Sequence, residues 1–228
     1  MKIGILSHPR EHGGSRYPTD YVHWVRMSGA TAIIIPYDIP RHELYQRIQD
    51  VDGIVLTGGD IEMPKYTKTQ YTNYVNSVKR CIRKAKEIND RGTCFPVWGT
   101  CLGFELLLLL EGVKDVHGLF DRLEMDEHYF PSTLHMSGSS ILKSYFTSAE
   151  VQRFKRTRCV IHRHNFVFKG QDYPFVVEVA KEGEYMSMFE FKKYPFFGCQ
   201  FHVENPFNPA STYISYKLSM FLKESCKN

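Results

Sequence analysis

Residues 96–105 read PVWGTCLGFE, an apolar stretch that breaks into Gly99-Thr100-Cys101-Leu102-Gly103 and then runs on through Leu106–Leu110. Phe95–Trp98 reads as a buried strand and the leucines as the helix behind it, so Cys101 stands between two glycines on a sharp strand-to-helix turn. Glycines at such a turn let strand and helix approach closely, and the turn exposes the side chain at its apex. A lone cysteine in an apolar run is more often a packed core thiol than a nucleophile. What decides between the two is the company the rest of the chain provides.

Upstream of this turn the chain alternates strand and helix. Lys2–Ser7 reads as a strand. Tyr17–Ser28 reads as a helix, with Thr19 or Asp20 as its cap and Gly29 as its stop. Thr31–Pro36 is a second strand, a short helix runs from Asp38 and Pro40 to Asp50, and Val51–Leu56 is a third strand ending at Thr57-Gly58-Gly59-Asp60. Asn73–Asp90 makes a long helix closed by Gly92. Four strand–helix units in succession predict an α/β fold, a parallel sheet with helices on both faces in a three-layer α/β/α sandwich, because right-handed crossovers allow little else.

Downstream, residues 113–170 are polar and aromatic without a clear period and read as loops and irregular strands. Phe175–Ala180, Met186–Glu190 and Pro195–Phe201 then read as strands, and Ser211–Lys223 as a closing helix. With no repeat, linker or low-complexity segment, residues 1–228 are taken as a single domain.

Composition narrows the class of function. A net charge of +4 from 29 basic and 25 acidic residues is too mild to imply nucleic acid or a membrane surface. The longest apolar runs fall far short of the roughly 20 residues a transmembrane helix needs. MKIGILSHPR has neither the apolar length nor the cleavage site of a secretory signal, so a cytoplasmic location is expected. Six cysteines without CxxC spacing are expected to be free thiols. The basic residues Arg153, Lys155, Arg156, Arg158 and Arg163 read as a solvated loop. The acidic cluster Asp121, Glu124, Asp126 and Glu127 near His128 fixes no metal geometry, and neither metal nor cofactor is expected.

Ligands of doubly wound sheets sit beyond the carboxyl ends of the strands. Three unusual segments fall there: Thr57–Asp60, Gly99–Gly103 and Gln200-Phe201-His202-Val203-Glu204. The helix N-terminus beyond Cys101 favours thiolate over thiol. On an extended segment His202 and Glu204 project to the same side, so the carboxylate can hold the imidazole in one tautomer. The oxyanion of a tetrahedral intermediate would be met by the backbone N–H groups of Leu102 and Gly59. Elbow glycines and a distal His-x-Glu together overturn the packed-thiol reading.

These blocks resemble the class I glutamine amidotransferase-like superfamily, and within it the γ-glutamyl hydrolases. The resemblance runs through GIL near residue 4, YVHWVRMSGA at 21–30, DGIVLTGGD at 52–60, FPVWGTCLGFE at 95–105 and YPFFGCQFHVEN at 194–205. It implies a flavodoxin-like, mostly parallel central sheet and cleavage of γ-glutamyl bonds, such as those of folate polyglutamates, through a thioester on Cys101. By motif, Cys101 corresponds to the nucleophile, His202 to the base, Glu204 to the orienting acid, and Gly59 and Leu102 to the oxyanion positions.

Glu105 stands where amidotransferases that use free glutamine usually carry Gln, and Trp98 points the same way. His164, in IHRHNFVF, falls where the hydrolases have a substrate-side or structural histidine. His202-Val203-Glu204-Asn205 replaces the usual His-Pro-Glu-Lys, implying a looser corner and one cation fewer. The alternatives are a glutaminase subunit that passes ammonia to a synthetase partner, and a silent binding protein on the same scaffold. The partner implied is a small γ-glutamyl compound, and a homodimer is left open.

Overall fold

Period-two alternation along the strands sorts their side chains onto two faces, each roofed by helices. Ile3, Ile5, Val55, Trp98, Phe197 and Cys199 face one core, which the helices Thr19–Met27 and Pro209–Ser225 cover with Trp24, Val25, Leu218 and Phe221. Leu6, Ile54, Leu56, Val97 and Phe196 face the other core, filled by Leu44 and Ile48 of Arg41–Gln49, by Tyr74, Val78 and Ile82 of Lys68–Asp90, and by Phe104, Leu107 and Leu108 of Leu102–Glu111. The result is the three-layer α/β/α sandwich that the alternation of elements predicts. This computed structural model describes residues 1–11, 13–60, 66–111, 120–122, 130–164, 166–169 and 173–227.

Five strands make the parallel half of the sheet, in the order Thr31–Ile35, Lys2–Leu6, Gly53–Leu56, Val97–Thr100, Phe196–Cys199. An antiparallel extension follows through Tyr185–Phe191, Phe166–Lys169 and Phe120–Arg122, with Val176–Glu182 also pairing Tyr185–Phe191. All five parallel strands point the same way, so their carboxyl ends gather Ser7, Thr57, Cys101 and Gln200 along one rim.

Several boundaries differ from those read in the sequence. Neither Thr19 nor Asp20 caps its helix: Pro18 occupies the N-cap position without a side-chain bond, while Asp20 sits in the first turn, where its charge suits the helix dipole. The long helix starts earlier, at Lys68, because Thr67 and Gln70 form a reciprocal capping box. The strand before the elbow is Val97–Thr100, two residues later than the apolar run suggests. Its partner Phe196–Cys199 sets that register, pairing Gly99 with Gly198.

The stretch read as loops holds two short helices, Ile141–Ser144 and Ser148–Phe154, the second with a Thr147/Glu150 capping box. It also holds the paired strands Phe130–Ser132 and Val160–His162. Elements this short leave too few turns for a periodic signal, and the Leu142, Phe146 and Phe154 anchors fix them by tertiary packing.

Candidate active site

The elbow is built by two glycine contacts. A Cβ on Gly99 would stand 2.6 Å from the carbonyl carbon and oxygen of Gly103, and one on Gly103 would stand 2.2 Å from the carbonyl oxygen of Leu56. Only hydrogen fits at either position, so strand and helix meet backbone to backbone. Cys101 at the apex has φ of +50°, the one positive value among the described non-glycine residues. That conformation costs a side-chain-bearing residue of order 1–2 kcal/mol. The N–H of Cys101 donates to the carbonyl of Cys199 at 2.9 Å, and its own carbonyl accepts from the N–H of Glu105 at 2.9 Å.

Opposite the elbow the chain leaves the sheet after Cys199, and His202-Val203-Glu204 forms a turn instead of the expected extended segment. The pairing survives by another route: Nδ1 of His202 donates to Oε1 of Glu204 at 2.5 Å. Nor is the corner loose for want of proline. Val203 is buried in the core, and the Ser215 hydroxyl donates to its carbonyl at 2.5 Å. Asn205, standing where the motif has a cation, reaches the same Glu204 oxygen from 3.4 Å.

Cys101, His202 and Glu204 line one cavity of about 1450 Å³, together with Gly59, Leu102, Glu105 and His164. Every residue singled out for the site in the sequence is therefore on its wall. Gly58 fills the gap between the key side chains: a Cβ there would lie 3.0 Å from Cε1 of His202 and 3.2 Å from Cβ of Cys101. Gln200 donates from Nε2 to Oε1 of Glu105 at 2.9 Å, fixing that carboxylate at the base of the cavity. Of the basic stretch only Arg163 reaches the cavity; Arg153, Arg156 and Arg158 are exposed on the surface. Glu124, Asp126, Glu127 and His128 lie outside the described residues.

Electrostatics corrects one expectation. Burial pushes the Cys101 thiol above its ordinary value, although the charge of His202 and a hydrogen bond to it work the other way. One helix N-terminus does not offset the loss of water around a thiolate. For His202 burial opposes protonation, but the charges of Glu204 and Cys101 and their hydrogen bonds carry it well above the usual histidine value. His202, made more basic by Glu204, is thus the group that can take the Cys101 proton and bring the thiolate within reach.

Two further residues at the site were given no role in the sequence. Tyr21, buried in the first turn of its helix, accepts the Gly58 N–H at 2.7 Å, and burial and the nearby Glu204 hold its phenol protonated. His8 packs its ring on Gly59, with Nδ1 donating to the Pro9 carbonyl at 2.7 Å, and burial pushes its pKa down to about 4. His8 stands two residues past the first strand and Tyr21 opens the YVHWVRMSGA block, and these are the signals that could have found them.

The family model for glutamine amidotransferase class-I matches residues 14–218. γ-Glutamyl hydrolase 1 of Arabidopsis thaliana is 28% identical over 237 residues, which cover 94% of this chain and 66% of that protein. γ-Glutamyl hydrolase 2 of the same plant is 29% identical over 240 residues with the same coverage, and the human γ-glutamyl hydrolase is 24% identical over 217 residues. The chain thus spans 66% of the length of these curated relatives. Among solved structures, a GMP synthase component from Thermoplasma acidophilum superposes with a TM-score of 0.63 at 17% identity, covering 100% of this chain and 97% of that one. PurLQS from Thermotoga maritima superposes at 0.60 and 15%, covering 98% of each chain, and both share the fold.

Proposed function

Because the chain belongs to the glutamine amidotransferase class-I family, we propose that it is a cysteine-dependent hydrolase of γ-glutamyl amide bonds, acting on a folate polyglutamate or another γ-glutamyl peptide. The curated relatives quoted above are all named γ-glutamyl hydrolases, which supports the substrate class. The observation that carries the chemistry is Cys101 at φ of +50° in the cavity wall, facing an imidazole that a carboxylate holds at 2.5 Å.

In this reading the γ-carbonyl of the substrate settles over Cys101. Sγ attacks as its proton passes to His202, and the oxyanion is met by the N–H groups of Leu102 and Gly59. Imidazolium then protonates the departing amine, leaving a γ-glutamyl thioester. Water activated by His202 attacks that thioester, and Sγ leaves. Glu204 keeps Nδ1 protonated and stabilises the imidazolium throughout. Tyr21 sets the Gly58 peptide beside the oxyanion segment. Glu105, steadied by Gln200, suits the α-ammonium group of the γ-glutamyl head, and His164 lines the substrate side. The common sheet of elements from Lys2 to Cys199 supports treating residues 1–228 as one domain.

The test is to offer the purified chain a γ-glutamyl peptide, its α-linked isomer and free glutamine. Cleavage of the γ-linked peptide alone, with kcat/KM well above that for glutamine, is expected. Ammonia release from glutamine that outruns peptide cleavage would turn the reading toward a glutaminase subunit.

A further inference from the structure

Beside the cavity, and outside the Cys101–His202–Glu204 set, lies a second carboxylate–imidazole pair. Nε2 of His162 is 2.6 Å from Oε1 of Glu182, and its Nδ1 is 2.8 Å from Nε2 of His164. Nδ1 of His164 is in turn 2.9 Å from the carbonyl of Phe166. The His162 ring is 2% exposed and stacks on Phe130, with centroids 4.8 Å apart and planes at 14°. Four groups, three of them on strands and His164 on the segment after Val160–His162, are therefore linked in a single chain of hydrogen bonds.

The donors in this chain follow from what each atom can do. A carbonyl only accepts, so His164 carries its hydrogen on Nδ1. Burial and the neighbouring His162 push His164 down to about 3, which leaves its Nε2 as a bare lone pair at neutral pH. Nδ1 of His162 must then donate to it. Nε2 of His162 shares one hydrogen with Oε1 of Glu182, so the contacts run as a single chain from Glu182 through His162 and His164 to the Phe166 carbonyl. Among the described residues, the other ionisable groups around these side chains are Cys159 near Glu182, the exposed guanidinium of Arg163, and Cys101 and His202 across the cavity.

Between the two linked rings, the Arg163 carbonyl turns into the site. It accepts from Sγ of Cys101 at 3.7 Å and lies 3.4 Å from Nε2 of His202, and the backbone N–H of His202 donates to the carbonyl of Ile161 at 2.9 Å. We infer that Glu182 and His162, through His164, are positioning residues that hold the Arg163 carbonyl against Cys101 and His202. This rests on the hydrolase reading for its kinetic consequence. An acceptor at that point holds the thiol S–H and opposes the thiolate, so it sets the proton balance of the pair, and its contact with Nε2 aligns the imidazole. Breaking the relay frees the carbonyl: the thiolate forms more readily, but His202 loses its alignment for turnover.

The experiment uses the full chain and two readouts. The pH dependence of Cys101 alkylation by iodoacetamide is measured in wild type, Glu182→Gln and Glu182→Asp, alongside kcat and KM on a γ-glutamyl peptide. Glu182→Gln is expected to move the alkylation midpoint to lower pH and to lower kcat about tenfold with KM within about twofold, and Glu182→Asp to recover much of both. An unchanged midpoint in a folded Glu182→Gln chain overturns the inference. Should that variant not fold, ¹⁵N NMR of the wild-type imidazoles decides: a ring-to-ring hydrogen bond from Nδ1 of His162 to Nε2 of His164 is expected, and its absence overturns the relay. If wild type cleaves no γ-glutamyl substrate, the hydrolase reading fails, while alkylation and NMR still judge the relay.

Discussion

The Cα of Gly103 packs so closely on the Leu56 carbonyl that a Cβ there would stand 2.2 Å from the oxygen. That contact seats the helix Leu102–Glu111 on the third strand of the sheet and thereby aims Cys101. Gly103→Ala is therefore expected to cost about 3 kcal/mol or more, since backbone on both sides has little room to move. Gly92→Ala is the control: φ is +86° there but nothing lies within 4 Å, so only strain of about 1 kcal/mol applies. Thermal unfolding of the two variants checks this, and similar losses in both would remove the close-approach argument.

Cys101→Ala is expected to abolish turnover while changing stability by no more than about 1 kcal/mol, because the thiol contributes reactivity more than packing. Burial raises Cys81, Cys159 and Cys226 to about 12, and Cys101 differs in having an imidazole that opposes the burial. Iodoacetamide should thus modify Cys101 fastest near neutral pH, and His202→Ala should erase that preference. Peptide mapping that finds Cys101 no faster than the half-buried Cys94 would refute it.

His202→Ala should lower kcat by about 10² to 10⁴-fold, the usual contribution of a positioned proton carrier. Glu204→Gln should cost less, because the amide can still accept from Nδ1 but no longer stabilises the imidazolium. The apparent pKa governing kcat/KM should fall in Glu204→Gln, since Glu204 is a principal cause of the raised His202 value. A pH–rate profile that stays put removes Glu204 from that role.

Tyr21→Phe deletes the acceptor of the Gly58 N–H. A buried donor left without a partner costs about 1–3 kcal/mol, some of it felt as a displaced oxyanion segment. The expected outcome is a kcat reduced about tenfold with little change in KM. Wild-type kinetics in this variant would show that Tyr21 only packs.

His8 supplies an acid limit to stability. Its pKa falls from 6.5 unfolded to about 4 folded, so the unfolded chain binds the extra proton first as pH drops. Its contribution is complete above pH 6.5 and is lost as pH falls toward about 4, an upper bound of about 3 kcal/mol. His8→Phe, which keeps a ring against Gly59, should flatten the dependence of the melting temperature on pH in that window. Equal slopes in variant and wild type would assign the acid limit elsewhere.

The sequence by itself determined the layers and the rim. Alternating apolar strands and helices specify which faces are buried, and glycines at 99 and 103 mark a close approach whatever lies across from them. Strand ends and their turns likewise brought Cys101, His202, Glu204, Gly59 and Leu102 into view, and the resemblance to the γ-glutamyl hydrolases added Glu105 and His164. Tertiary structure alone decided the rest. The register of Val97–Thr100 against Phe196–Cys199 moved the elbow strand by two residues, since strand ends follow partners more than propensity. Tyr21 and His8 joined the site because a helix start and a strand end from the first 21 residues fold over Gly58 and Gly59. The thiol pKa ran opposite to the helix-dipole argument because desolvation depends on everything packed around Sγ, a sum over distant segments that no local motif contains.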